Sequence, residues 1–355
     1  MTSIYIPSVP FNEIDDKNTQ VIDVRSPAEY KEFHIPGSIN LPLFTDEERA
    51  TVGTAYKQDS PDKAKSLGIE IFSAKLPGFY RQIIDLKKNN ARELVITCAR
   101  GGMRSGSFVS LINSLDIPVK RLEGGMRSVR QYVQEELSRL SSLSWKMVVI
   151  SGHTGTRKTV WLEKLHEEGY PVLNLEKLAN HRGSIFGHIG KDKRSQKEFE
   201  WLLVGELQRL EKEEYVLIEA ESKRIGPIIL PEWLQEKKEY GRFIELTDNM
   251  DRRVQYLLEE YQPQNHKESF HEALNKLKKR LKPAAGKFIE EAEKKDDYYS
   301  IFKCLLENYY DPSYSHKQTG YIEKDYKRYL NISDLKEEDI LPLLQSEIML
   351  EVKKV

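Results

Sequence analysis

Cysteine is scarce in this chain: Cys98 and Cys304 are the only two in 355 residues, too few for a disulfide framework or a thiolate metal cage. Neither sign of charge dominates. Lys+Arg at 55 against Asp+Glu at 56 leaves a net −1, which excludes a globally basic nucleic-acid binder and confines any RNA contact to a local patch. Long apolar runs are also missing. The opening MTSIYIPSVPFNEIDD has neither the basic start nor the apolar core of a secretion signal, so a cytoplasmic location without membrane contact is expected. What remains is a composition of 31% charged and 39% hydrophobic residues, which fits a globular protein with a large helical share. The length suits two domains, expected at 1–140 and 141–355.

The first of the two cysteines opens the most informative stretch. Leu94, Val95 and Ile96 form a short β-type run that breaks at Cys98 into CARGGMRS, and helix-like sequence resumes from Ser107 to Leu115. Such a turn aims backbone N–H groups and the positive end of a helix dipole at one thiol, favouring a thiolate and any oxyanion beside it. Arg100, Gly101 and Gly102 make up the anion loop. The two glycines are expected to take φ > 0 and let the backbone approach a ligand. Arg104 offers a fork of donors to a phosphate-like group. Cys304, in IFKCLLENYY, falls at helical spacing and reads as core.

Around this loop the flanks carry a resemblance. The string VIDVRSPAEYKEFHIPGSINLP (residues 21–42) is similar to the opening signature of rhodanese-like sulfurtransferase domains, and LEGGMRSVRQYV (122–133) to their closing segment. The resemblance implies an α/β domain in which Cys98 is the sulfur-handling residue. Ser26 and Glu29 read as a capping box, Asp23 and Arg25 as an ion pair or as solvated charges, and His34 as a turn-fixing residue rather than a base. Cys98 and Arg104 enclose five residues, one more than in common rhodaneses. That spacing also resembles the phosphate loop of cysteine phosphatases and predicts a phosphate-bearing donor. Thr97 stands where those phosphatases usually carry His. Residues 44–68 form an insertion in which Glu47 to Val52 is helix-compatible and Gly53-Thr54 is expected to break the helix. Packing and a substrate-facing lid are equally compatible with it. The repeated GGMRS, at 101–105 and 124–128, reads as coincidence.

The second domain opens with an apolar strand, Lys146 to Ile150, followed by GHTGTRKT. Strand, Gly-rich turn, Lys-Thr and helix is the order of a P-loop: Gly152 and Gly155 shape the cradle, Lys158 bridges phosphate oxygens, and Thr159 can reach a Mg²⁺. Arg157 stands where the glycine before the lysine is usual, which argues against ordinary nucleotide binding while adding a cation. Pro171 to Leu175 predicts a second strand, whose C-terminal loop brings His181, Arg182 and Ser184 to the ligand-binding edge of an open sheet. Tyr215 to Glu221 predicts a third strand with Glu219 and Glu221 in the position of a Walker B acid, Glu221 preferred. Arg242 to Thr247 predicts a fourth. Beyond Asp248 the chain turns mainly helical, with a basic run at Lys276–Lys282 and an aromatic cluster at Tyr309, Tyr310 and Tyr314 expected to pack.

Taken together, a rhodanese-like domain followed by a P-loop domain, with ERATVGTAYKQ (48–58), LEKLANHRGSIFG (175–187) and YYDPSY (309–314), resembles the bacterial tRNA 2-selenouridine synthase family. The resemblance implies a two-step exchange on wobble 2-thiouridine in tRNA: geranyl diphosphate alkylates the sulfur, and selenophosphate then replaces the geranylated sulfur with selenium. On that reading Cys98 and Arg104 serve selenium, as a selenenylsulfide on the thiol. Gly152, Gly155, Arg157, Lys158 and Thr159 hold the diphosphate, and His181, Arg182, Ser184, Glu219 and Glu221 line the same pocket. No tightly bound cofactor is expected, and a requirement for Mg²⁺ stays open. Two rival readings also stay open: a sulfurtransferase or cysteine phosphatase acting without tRNA, and an idle tRNA-binding scaffold.

Overall fold

The computed structural model describes residues 5–89, 91–313 and 327–354, and the chain divides into two compact units, Met1–Ser138 and Arg139–Val355. In the first unit, strands β1 (Ser8–Val9), β2 (Thr19–Asp23), β3 (Ile39–Asn40), β4 (Glu93–Thr97) and β5 (Val119–Leu122) form an all-parallel sheet in the order β1-β5-β4-β2-β3. Parallel sheets are covered on both faces, so their central strands read as continuous apolar runs. Accordingly Leu94, Val95 and Ile96 of β4 are fully buried. The Cys98 loop leaves the carboxyl end of this central strand. Helix α4 (Met103–Asn113) starts four residues before the expected Ser107, because Gly102 serves as its N-cap and Gly106 N already donates to Gly102 O at 2.9 Å.

The insertion is helical from Asp46 onward except at Ser60. A helix over Asp46–Thr54, capped by Thr45 with Glu48, runs straight into a π-helical turn, Ala55–Asp59, before a 29-residue helix, Pro61–Asn89. Gly53 therefore does not break the helix. A Cβ at Gly53 would come within 2.5 Å of Arg49 Nη1, so the glycine makes room for the arginine folded over it. Phe79 and Phe108 pack edge to face beneath this layer, with centroids 5.7 Å apart.

Strands β6 (Lys146–Gly152), β7 (Val172–Leu173), β8 (Tyr215–Glu219), β9 (Arg224–Ile225), β10 (Ile228–Ile229), β11 (Arg242–Thr247) and β12 (Lys327–Asn331) belong to the second unit. Five of them form a parallel sheet in the order β12-β11-β6-β8-β7, while β9 and β10 make a small antiparallel hairpin. The chain leaves β6 to one side for β7 and β8 and returns to the other for β11 and β12. The carboxyl end of β6 is thus the topological switch point, where open α/β sheets bind ligands. The helices Met250–Tyr261, Lys267–Lys278, Pro283–Glu293 and Tyr298–Leu305 pack as a separate apolar cluster around Phe186, Phe270 and Phe302. Cys304 lies in that cluster, 7% exposed, and burial raises its thiol above the ordinary range. Tyr309 and Tyr310 pack against it as expected, whereas Tyr314 lies outside the described residues.

Candidate active site: two anion loops in one chain

The Cys98 loop is held by backbone bonds from the turn after β5, Met126 N to Cys98 O and Arg127 N to Ala99 O. Cys98 is 3% exposed and belongs to the apolar cluster of this unit, while its Sγ lies 3.1 Å from Ser105 Oγ. Burial by itself would raise this thiol. The Ser105 hydroxyl, the amides of Ser105 and Arg100 and the Arg104 charge outweigh burial and hold it below its ordinary value. Arg104 is fixed by Glu29, with Nη1–Oε2 2.7 Å and Nη2–Oε1 3.3 Å. Glu29 also accepts from the Ser26 amide at 3.2 Å, as the capping box requires, and faces Arg49 Nε at 3.6 Å. One carboxylate therefore sits between two guanidinium groups, and despite burial they draw it below the usual carboxylate range. Asp23 and Arg25 form a buried ion pair at 2.6 Å, with Arg25 also donating to Phe33 O at 2.6 Å. Arg25 is not a solvated charge. His34 bonds Tyr30 O at 3.0 Å and stacks on the Tyr30 ring, a local structural role.

Two expectations about the glycines and the repeat need correction. Only Gly101 has a positive φ, +60°; Gly102 sits at −92° with open space around it. Gly101 also meets backbone rather than a ligand: a Cβ there would lie 2.9 Å from Gly124 N and from Leu122 O. The second GGMRS turn packs face to face on the first, with Met126 N donating to Cys98 O at 2.8 Å and Arg127 N to Ala99 O at 3.0 Å. The repeat is thus two glycine turns, each feeding a helix at its Met, locked by close backbone contact.

In the second unit the P-loop follows β6. Lys158 Nζ is folded onto the loop, donating to Gly152 O at 2.8 Å and His153 O at 3.3 Å. Burial pushes this ammonium below its ordinary value, against the pull of Glu221, Glu176 and Glu219. Gly152 and Gly155 carry φ of +144° and +88°, and a Cβ on Gly155 would come within 2.9 Å of Arg253 O. Arg157 takes the left-handed conformation itself, φ +60°, so the arginine keeps a backbone shape that glycine adopts without strain. Its guanidinium lies 5.3 Å from the Tyr256 ring centre and 3.3 Å from Glu337 Oε2. Arg157 thus already has anionic and aromatic partners.

Beside Lys158 three carboxyls gather. Thr159 Oγ1 donates to Glu176 Oε2 at 2.8 Å, and Glu176 N donates to Glu219 Oε1 at 2.6 Å. Gly183 lets Glu176 Oε1 and Glu221 Oε2 approach from one side, since a Cβ there would meet them at 2.6 and 2.7 Å. Burial, then the neighbouring Glu221 charge, pushes Glu176 up to about 8, and burial with Glu176 and Glu221 raises Glu219 further above the carboxylate range. Arg182 pairs with Glu260 and lies 5.4 Å from the Tyr261 ring centre; Ser184 Oγ is 2.7 Å from Tyr261 OH. With His181, all of these but Glu219 line one cavity of about 1590 Å³ in this unit; Glu219, expected in the lining, is instead buried at 1% exposure. A clamp holds the P-loop from the helical part: Arg253 Nε donates to Thr154 O at 2.8 Å and its Nη groups to Asp311 at 2.6 and 3.0 Å. Burial would raise the Asp311 carboxyl, but His153 and Arg253 bring it down to about 2.

Sequence alone gives Glu176, Arg253, Glu260, Tyr261 and Asp311 no site role. Glu176 and Asp311 lie in the strings 175–187 and 309–314 that carry the family resemblance, and Glu176 is a carboxylate three residues after β7 on the ligand-binding edge of the sheet. Arg253, Glu260 and Tyr261 come from the helix Met250–Tyr261 and carry no local pattern. Residues 145–334 match the tRNA 2-selenouridine synthase AAA domain, and residues 12–132 the rhodanese-like domain. A tRNA 2-selenouridine synthase of Sulfurovum sp. (strain NBC37-1) is 30% identical over 352 residues, covering 91% of this chain and 94% of its own. Proteins of the same name from Nitrosomonas europaea and Nitrosomonas eutropha are each 34% identical over 69% of this chain. Those two matches span 64% and 63% of the relatives' own length, less than two thirds. The chain belongs to the tRNA 2-selenouridine synthase family.

Proposed function

We propose that this protein is a transferase that converts wobble 2-thiouridine in tRNA to 2-selenouridine in two steps. In the first, the thiouridine sulfur attacks the C1 carbon of geranyl diphosphate, the C–O bond breaks, and pyrophosphate leaves as the base loses its N3 proton. In the second, selenium from selenophosphate takes the place of the geranylated sulfur at C2, geranyl thiol leaves, and water takes the phosphoryl group as phosphate. The observation that supports this best is the presence in one chain of two anion loops of different chemistry. One sets an acidified thiol beside the Arg104 guanidinium, and the other is a P-loop with a lysine. Arg104 and the loop amides suit the selenium donor, with Cys98 as the reactive group of that step. Lys158, the P-loop amides and Arg157 suit the departing diphosphate.

Mg²⁺ fits this picture only together with substrate. Among the described residues no group of three His, Cys, Asp or Glu side chains is placed to hold a metal ion. Thr159, Glu176 and Glu221 supply oxygen donors, and phosphate oxygens would have to complete the shell. Among the described residues no helix is long and apolar enough to cross a membrane. The test is to incubate the protein with thiolated tRNA, geranyl diphosphate and selenophosphate, omitting each in turn, and to weigh the nucleosides. Omitting selenophosphate should leave S-geranyl-2-thiouridine, and omitting geranyl diphosphate should leave 2-thiouridine. Selenouridine formed without geranyl diphosphate would overturn the order of steps.

A further inference from the structure

His181 is held in a slot cut by two stretches of backbone far apart in sequence. A Cβ at Gly187 would come within 2.6 Å of its Cε1 and 2.7 Å of its Nδ1. One at Gly226, in the β9–β10 turn, would come within 2.5 Å of Cδ2 and 2.6 Å of Nε2. Any side chain at either position would push the ring out. The residue is 8% exposed and belongs to the wall of the P-loop cavity. Its Nδ1 is buried without a hydrogen-bond partner. Of the two ring nitrogens only Nε2 is not sealed, so Nε2 is the one that can meet a ligand.

The position of the proton follows from this geometry. An orphaned N–H in the protein interior costs more than a bare lone pair, so the sealed Nδ1 is the unprotonated nitrogen and Nε2 carries the hydrogen. A second proton is disfavoured: burial, then the nearby His188, Lys191 and Arg182, push the imidazole down to about 4. At neutral pH the ring is an uncharged donor with one N–H on its cavity side. Arg182, Lys158 and Lys191 already supply cations to this cavity. A neutral, rigid donor adds direction rather than charge, and a packing role alone gives no reason for a polar ring with a sealed, unpaired nitrogen.

We infer that His181 is a substrate-binding residue that donates its Nε2–H to an oxygen of the molecule held in this cavity, a phosphate oxygen or a pyrimidine carbonyl. The inference rests on the proposed reading that the P-loop cavity binds substrate. Titration calorimetry on the full chain, with inorganic pyrophosphate in one arm and the nucleoside uridine, which has no phosphate, in the other, tests it. The variant H181F keeps a ring without a donor, and H181Q restores a donor. One lost hydrogen bond predicts about tenfold weaker binding of one probe by H181F, with H181Q within about threefold of the parent. The probe that responds identifies which oxygen is read. Should H181F fail to fold, ¹⁵N-histidine spectra of the unaltered protein decide: the responding probe must shift the Nε2 resonance. Equal binding by folded H181F, or an unmoved Nε2 resonance with probe bound, overturns the inference alone. If the unaltered protein binds neither probe, the cavity reading fails and the inference falls with it.

Discussion

The two anion loops share a backbone plan and differ in their electrostatic company. Each follows a parallel strand, turns through glycine and opens a helix. Beside Cys98 the charged neighbour is cationic, Arg104, itself held by Glu29, which also faces Arg49. Around Lys158 they are acidic, with Glu176, Glu219 and Glu221 drawn together on one side. The first arrangement lowers the pKa of a thiol against its burial, which favours the nucleophilic thiolate. The second keeps a lysine buried beside Glu176 and Glu219, which are themselves reluctant to ionise. An incoming phosphate oxygen can draw Lys158 from the loop carbonyls without a net charge being left uncompensated. On the proposed reading the same turn serves covalent chemistry in one unit and anion holding in the other.

Removing a cation from each loop is the sharpest way to separate these roles. Lys158→Ala should reduce pyrophosphate binding and S-geranyl-2-thiouridine formation by about 100-fold or more, the scale of one charged group at a phosphoryl site. Calorimetry and nucleoside mass spectrometry read the two effects. Arg104→Ala should act on the thiol. Without the guanidinium, and with Glu29 left unpaired beside it, the thiolate is disfavoured, so the pH profile of Cys98 alkylation should move about one unit upward. At pH 7 that is about tenfold slower reaction with iodoacetamide, scored on the Cys98 peptide, while the Cys304 peptide keeps its profile.

The acidic cluster yields a smaller effect with a defined sign. Glu176 holds its proton to about 8 in the folded chain, well above the ordinary carboxylate value of about 4.3 in an unfolded one. The folded state therefore keeps a proton that the unfolded state releases. Stability from this group is full at acid pH and is lost as pH rises to 8. Thermal melts from pH 5 to 9 should show Tm falling with pH, and Glu176→Gln should flatten that slope. Smallest of all, Arg157→Gly should relieve a left-handed arginine, a gain of about 1 kcal/mol. The lost contacts to Tyr256 and Glu337 offset part of it, so Tm should change by no more than about 4 °C.

How much of this was legible in the sequence follows from how local each signal is. The strand runs LVI, MVVI and YVLIE announced themselves because parallel strands are buried on both faces. The Cys98 turn and the P-loop were legible because each is a contiguous string whose chemistry and geometry coincide. Short edge strands such as Ser8–Val9 and Lys327–Asn331 were not, since two to five residues with mixed polarity carry no period. Helix starts were misplaced where a glycine acts as a cap, as at Gly102, and Gly53 misled because its role is to accommodate Arg49 rather than to bend the chain. The repeated GGMRS lacks the period and number of copies of a repeat fold, so its sequence carries no sign of contact. In the fold the two copies touch backbone to backbone. Glu29 was assigned only to a helix cap, although it also anchors Arg104 from 75 positions away.

The central claim is that the two loops divide the reaction, with the thiol of Cys98 serving selenium and the P-loop serving the diphosphate. Nucleoside mass spectrometry on Cys98→Ser, supplied with thiolated tRNA, geranyl diphosphate and selenophosphate, tests it most directly. The division predicts that S-geranyl-2-thiouridine accumulates and 2-selenouridine does not form. Formation of 2-selenouridine at the rate of the unaltered protein would contradict it.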